Sequence, residues 1–113
     1  MEQCLESVLK NANDTQIIIT ADHGMNDLNK VIDISKYPMI KKNLKTRICG
    51  EQRVIYCYTD TPEEFLKSLD DIREYTEVNA SSDLLKNDYF GFGTPHKDIK
   101  NRIGDYTLFP NDG

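Results

Sequence analysis

Thr15-Gln16-Ile17-Ile18-Ile19-Thr20-Ala21-Asp22-His23-Gly24-Met25 is the stretch on which the fold turns. Its three consecutive β-branched residues, bounded by polar ones, predict a brief strand buried on both faces, because a strand with one wet face would alternate apolar and polar residues. The segment before it, Met1 to Ala12, sets Cys4, Leu5, Val8 and Leu9 at helical spacing, with Asn11 and Asn13 near its end. That predicts a short amphipathic helix. Helix followed by buried strand points to an α/β sheet. After the strand, Ala21 to Asp27 reads as a loop of turn formers and metal-capable side chains. In open parallel α/β sheets ligands bind outside the carboxyl ends of the strands, so this loop stands where a site is expected.

Further along, the texture changes. Val31-Ile32-Asp33-Ile34 leads into a lysine-rich stretch, Lys36 to Arg47, expected to face solvent. Thr46 to Cys49 and Arg53 to Thr59 flank Gly50-Glu51-Gln52, a three-residue connection with a glycine, which predicts a β-hairpin. Thr61-Pro62-Glu63-Glu64 predicts a helix start, with Thr61 as N-cap, Pro62 in the first helical position and Glu64 completing a capping box. Phe65, Leu66, Leu69 and Ile72 form its apolar stripe. A short strand at Tyr75 to Val78, a short helix at Ser81 to Lys86, a loop from Tyr89 to His96 and a last strand from Asp105 to Phe109 complete the reading. The middle of the chain is therefore a small α+β unit.

Length and composition set limits on function. The 113 residues, 38% hydrophobic and 29% charged, suffice for one modest core, and neither a repeat nor a Gly/Ser linker divides them. With 19 acidic against 14 basic residues the net charge is -5, which argues against a nucleic-acid partner. The longest apolar run, Ile17 to Ile19, is far below the roughly 20 residues of a membrane span, and no signal peptide opens the chain. Cys4, Cys49 and Cys57 are odd in number and lack CxxC spacing, so neither a disulfide framework nor a zinc knuckle is indicated. A soluble, unexported, cytoplasmic protein in a reducing compartment is the expectation.

Few residues remain that could carry chemistry. Asp22 and His23 offer a carboxylate oxygen and an imidazole nitrogen, and the turn at Gly24 lets both approach one metal ion; the bland reading is an Asp capping a turn beside an ordinary His. Asp27 either assists or solvates the turn. His23 and His96 are the only histidines, which limits any zinc centre built from this chain to carboxylate-rich ligation. Cys49 and Cys57 lie on opposite arms of the hairpin, as packed thiols or as a redox pair. Tyr56, Tyr58 and Tyr75 suit core packing better than base stacking, given the acidic charge. The cluster Lys41, Lys42, Lys45 and Arg47 is either a solvated loop or an attractor of anions. Gly91-x-Gly93 is a turn, since the rest of a dinucleotide fingerprint is absent.

Taken whole, the stretch from Thr15 to Met25 resembles a signature of the alkaline phosphatase superfamily, in its branch of type I phosphodiesterases and nucleotide pyrophosphatases, where an apolar strand ends in Thr-Ala-Asp-His-Gly. The resemblance implies an alkaline phosphatase-like α/β sheet. It also implies that Asp22 and His23 ligate divalent metal, usually zinc, in a two-metal site. Arg102-Ile103-Gly104-Asp105-Tyr106 resembles a strand start found in several members, phosphonoacetate hydrolase among them. Residues 31-87 resemble the small α+β cap-like insertion between these motifs, leaving 1-30 and 88-113 as parts of the core. The implied substrates are phosphate esters, nucleotides or phosphonates.

Other features of that family do not occur here. Its Thr or Ser nucleophile and an Asp ligand belong to a stretch preceding the strand, its Asp-x-x-x-His ligand pair has no match in this sequence, and its last His ligand follows the strand start at Arg102. His96, in Gly-Thr-Pro-His, stands before that point and is either a ligand of the other branch's type or a loop histidine. The expectation is the C-terminal part of a metal-dependent hydrolase, inactive by itself and prone to self-association through an exposed sheet. The alternative is a free-standing, non-catalytic α+β interaction module that retains a remnant metal motif.

Overall fold

A computed structural model describes residues 2-11, 13-25, 27 and 30-111, with side chains 2-4 and 11 outside the description. The chain is a mixed α/β structure built on one four-stranded antiparallel sheet. Helix α1 spans Glu2–Asn11, as the helical spacing of its apolar residues requires. Its apolar face is nevertheless open: Val8 and Leu9 are more than half exposed. Ten residues form only a marginal helix without a surface to pack on.

The predicted strand at residues 16-20 is not a strand. The segment runs without a sheet partner, and Ile18 and Ile19 are 81% and 65% exposed. β-branched residues favour extended backbone, but a strand also needs neighbours on both edges and layers on both faces. The four strands of the sheet pair with one another and not with this segment.

The folded body begins beyond it. A 3₁₀ turn at Ile34–Lys36 starts at Asp33, whose carboxylate accepts the Ser35 N–H at 2.9 Å; those hydrogen bonds hold the Asp33 carboxyl below its usual range. Helix α2, Pro38–Lys42, follows with Pro38 at its first position. The lysine-rich stretch is thus not simply solvent-facing, because Ile40 on α2 is 2% exposed and belongs to the core. Charge dominates the composition of this stretch, yet one isoleucine at the right angle suffices to dock a helix.

Strands β1 (Cys49–Glu51) and β2 (Val54–Cys57) form the expected hairpin, paired Cys49 to Tyr56 through Glu51 to Val54. The turn falls at Gln52 and Arg53, two residues beyond the glycine. Gly50 lies inside β1 at φ +95°, where a side-chain carbon would overlap the Val54 carbonyl oxygen, so it marks a kink in the strand.

Helix α3, Pro62–Ser68, starts where the Thr-Pro signal places it, but Thr61 makes no side-chain cap. Thr59, two residues earlier, braces the helix entry instead: its hydroxyl accepts the Thr61 N–H at 3.0 Å and donates to the Asn43 carbonyl at 2.7 Å, tying the start of α3 to the end of α2. The stripe from Phe65 continues past the helix into a 3₁₀ segment, Asp70–Tyr75, so that Phe65, Leu69 and Ile72 are all buried.

Strand β3, Thr76–Ala80, precedes helix α4, Ser81–Lys86, and then a loop, helix α5, Lys100–Ile103, and strand β4, Tyr106–Pro110. The sheet order is β1-β2-β4-β3. The chain therefore passes from β2 through α3 to β3, leaving a slot that β4 fills last, antiparallel to both. The terminal strand, grouped from sequence with residues 1-30, is hydrogen bonded in the middle of this sheet. Ile55, Leu108 and Val78 lie across one row, and Cys57, Tyr106 and Ala80 across the next. On that face Cys57 and Leu108 pack with Ile40, Phe65, Leu69 and Ile72, and the Phe65 and Tyr106 rings sit 5.6 Å apart. On the opposite face Thr107 is fully buried; its hydroxyl lies 2.8 Å from that of Ser81, which donates to the Ile103 carbonyl.

Burial decides the chemistry of the two hairpin cysteines. Cys49 is exposed, whereas Cys57 is buried and its thiol is pushed up to about 12 by the cost of desolvating a thiolate. Both are free thiols. In native protein near pH 8, mass mapping after Ellman's reagent should find Cys49 modified and Cys57 intact until denaturant is added. The unfolded chain loses the Cys57 proton near pH 9 while the fold keeps it, so stability falls between pH 9 and 12, by at most about 1.4 kcal/mol per unit. Rapid labelling of Cys57 in the native protein would contradict its position.

Candidate metal-ligand site

The Asp-His-Gly motif stands on the extended segment that leads into the body. Lys30 fastens the body's end of that segment, its ammonium 3.5 Å from the centroid of the Tyr75 ring. The contact with Tyr75 favours the charged lysine and raises its pKa.

At Asp22 and His23 the backbone bends, which brings both side chains to one side. Asp22 Oδ1 accepts the backbone N–H of His23 at 3.0 Å, the capping contact that the bland reading anticipates. Its second oxygen, Oδ2, lies 3.6 Å from His23 Nε2. His23 Nδ1 is 2.9 Å from the Gly24 carbonyl, which can only accept; in the tautomer that donates this hydrogen bond, the Nε2 lone pair faces a ligand. Both side chains are open to solvent.

These donors fit zinc. Nitrogen and oxygen ligands about 2.0–2.2 Å from a tetrahedral ion stand about 3.3–3.6 Å from each other. The separation of Oδ2 and Nε2 matches that span, and a backbone carbonyl on the other ring nitrogen is the usual support for a ligating histidine. A tetrahedral site needs further ligands. Among the described residues no group of three or more His, Cys, Asp and Glu side chains comes together. Asp27 is exposed and joins no such group.

His96 does not complete the pair. Its Nδ1 accepts the Asp98 N–H at 3.2 Å and lies 3.7 Å from the Asp98 carboxylate, as in a loop turn, and it lines a shallow cleft of about 230 Å³ with Ile99 and Arg102. The Arg102-Ile103-Gly104-Asp105 motif serves the fold. Asp105 accepts the Thr59 N–H on Oδ2 at 2.9 Å, donates its N–H to the Cys57 carbonyl at 2.8 Å and accepts the Ser81 N–H at 3.0 Å. It clips the end of β2 to the start of α4. Tyr58 is likewise tied down, its hydroxyl donating to the Asn101 carbonyl at 2.8 Å.

The family model described as "Type I phosphodiesterase / nucleotide pyrophosphatase" matches residues 2–113. The chain belongs to that family, and its lineage is that of phosphodiesterase and pyrophosphatase-type hydrolases. No curated protein and no solved structure matches it. Among the described residues no helix is long and apolar enough to cross a membrane.

Proposed function

We propose that this chain is the C-terminal, motif-bearing portion of a metal-dependent hydrolase of phosphate esters, nucleotides or phosphonates, with Asp22 and His23 as zinc ligands. One observation carries the reading: in a chain of this family, Asp22 Oδ2 and His23 Nε2 stand 3.6 Å apart, both exposed, with the other ring nitrogen held by Gly24. Bound zinc would supply Lewis acidity toward a phosphoryl oxygen. What the chain itself contributes is a carboxylate oxygen and an imidazole nitrogen 3.6 Å apart.

The exposed isoleucines support the placement in a larger sheet. Ile17 to Ile19 have the composition of an interior strand and no neighbour within the described chain, which fits a strand whose partners belong to other segments. The open apolar faces of α1 and of this segment would also drive self-association of the chain on its own.

Two ligands hold zinc weakly, so the isolated chain should bind it only at high micromolar concentration or above. Titration calorimetry of the chain with zinc should show that weak binding, and Asp22→Ala should remove it. Hydrolysis of bis(p-nitrophenyl) phosphate with added zinc should stay at the protein-free rate. Turnover that Asp22→Ala abolishes would sink the claim that the ligand set is incomplete. A dispersed, stable monomer with no zinc response would favour the interaction module instead.

A further inference from the structure

Charge is unevenly spread along this acidic chain. Between Ile34 and Gly50 there are five lysines and arginines and no acidic residue; removing those five from the 14 basic residues leaves nine against 19 acidic ones elsewhere. The structure gathers three of the five around one concavity. A groove of about 630 Å³ opens between the start of the body and the approach to β1, rimmed by Lys41, Lys45 and Arg47 and floored by Ile34, Leu44 and Ile48. Among the described residues no acidic one lines it.

The rim cations differ in their commitments. Lys45 is held by Asp60 at 2.8 Å, which keeps its ammonium charged and fixes one edge of the groove. Lys41 and Arg47 make no ion pair or side-chain hydrogen bond among the described residues; Lys41 acts on Asp33 only through its field, and that carboxylate is already occupied by Ser35. A solvated lysine face would be convex and need no floor. Here like charges are brought to one shallow, open depression with isoleucine and leucine side chains among its lining.

We propose that this groove binds an organic phosphate of nucleotide type, with its phosphates between Lys41 and Arg47 and its base or sugar over Ile34, Leu44 and Ile48. Arg47 offers a planar fork suited to two phosphoryl oxygens, and Lys41 a mobile point charge opposite. The site is separate from Asp22 and His23, neither of which lines the groove. It does not depend on the metal reading.

The test uses the full chain in buffer containing EDTA, so that metal-dependent binding at Asp22 and His23 is silenced. A fluorescent mant-ATP probe should bind and be displaced by ATP and, more weakly, by inorganic pyrophosphate, while adenosine fails to compete. Lys41→Ala/Arg47→Ala should weaken the probe about tenfold or more, as removal of charged hydrogen bonds does; both side chains are on the surface, and circular dichroism will confirm that the fold is kept. Asp22→Ala should bind as the parent does, even if the zinc reading fails. Absence of probe binding, equal competition by adenosine, or unchanged affinity in the double variant would each overturn the proposal.

Discussion

Phe65→Ala should cost the body of this protein about 3–5 kcal/mol, the usual range for deleting a buried aromatic ring. The ring has no exposed surface, sits at the centre of the cluster formed by Ile40, Cys57, Leu69, Ile72 and Leu108, and stacks at a tilt against Tyr106. It joins α2, α3 and two strands, so the cavity left behind cannot close by moving any one element. A domain of this size has only about 5–15 kcal/mol to lose. Urea denaturation followed by circular dichroism should show the midpoint fall sharply. The matched control is Phe92→Ala, at a ring 96% exposed, which should leave the midpoint where it was. Equal midpoints for the two variants would show that the core is not where the structure puts it.

Gly104→Ala should cost about 3 kcal/mol or more, although it adds a single methyl group. Gly104 ends α5 at φ 69° and ψ -172°, a region essentially reserved for glycine, where strain alone costs about 1–3 kcal/mol. The new carbon would also stand 2.5 Å from the Cys57 carbonyl oxygen and 3.0 Å from its carbon, against backbone that cannot rotate away. Relief requires β4 to part from β2, which breaks the Asp105 bonds to Cys57 and Thr59. Hydrogen exchange should therefore accelerate at the amides of Asp105 and Thr59 more than at those of β3. Gly91→Ala makes the comparison: its φ is also positive, at 110°, but nothing lies within 4 Å, so only the conformational part should be lost. If both variants cost the same, the close approach at Gly104 has no energetic weight.

The Arg-Ile-Gly-Asp motif thus acquires a structural meaning in this chain. Its glycine permits close backbone approach, and its aspartate ties three segments together. That role is invisible in a linear reading because Asp105 and Thr59 lie 46 positions apart. The same reason hid the part played by Thr59: the Thr-Pro-Glu-Glu signal located the helix correctly, but Thr61 makes no side-chain cap, and its own N–H is held by Thr59, whose hydroxyl is anchored on the Asn43 carbonyl far back in the chain. Local signals fared better where the element depends on its own residues. Helix α4 spans Ser81–Lys86 as expected, and the stripe of Phe65, Leu69 and Ile72 is buried.

The candidate site divides along the same line. That Asp22 and His23 are adjacent, follow a β-branched run and precede a glycine was legible, and the family follows from that stretch together with the match over residues 2–113. The separation of their donor atoms and the contact of Nδ1 with the Gly24 carbonyl required coordinates, because both depend on side-chain torsions that the sequence does not state.

By itself the sequence determined the chemical inventory: an acidic chain with two histidines, one Asp-His pair and a run of five cations free of acids. It also determined most elements whose stability is local. Only the tertiary structure decided that Ile17 to Ile19 lack a sheet, that β4 fills the slot between β2 and β3, and that three of the five cations line one open depression. Composition states what a segment favours. Hydrogen-bond partners and burial come from residues far away in the chain, and they decide whether that preference is met.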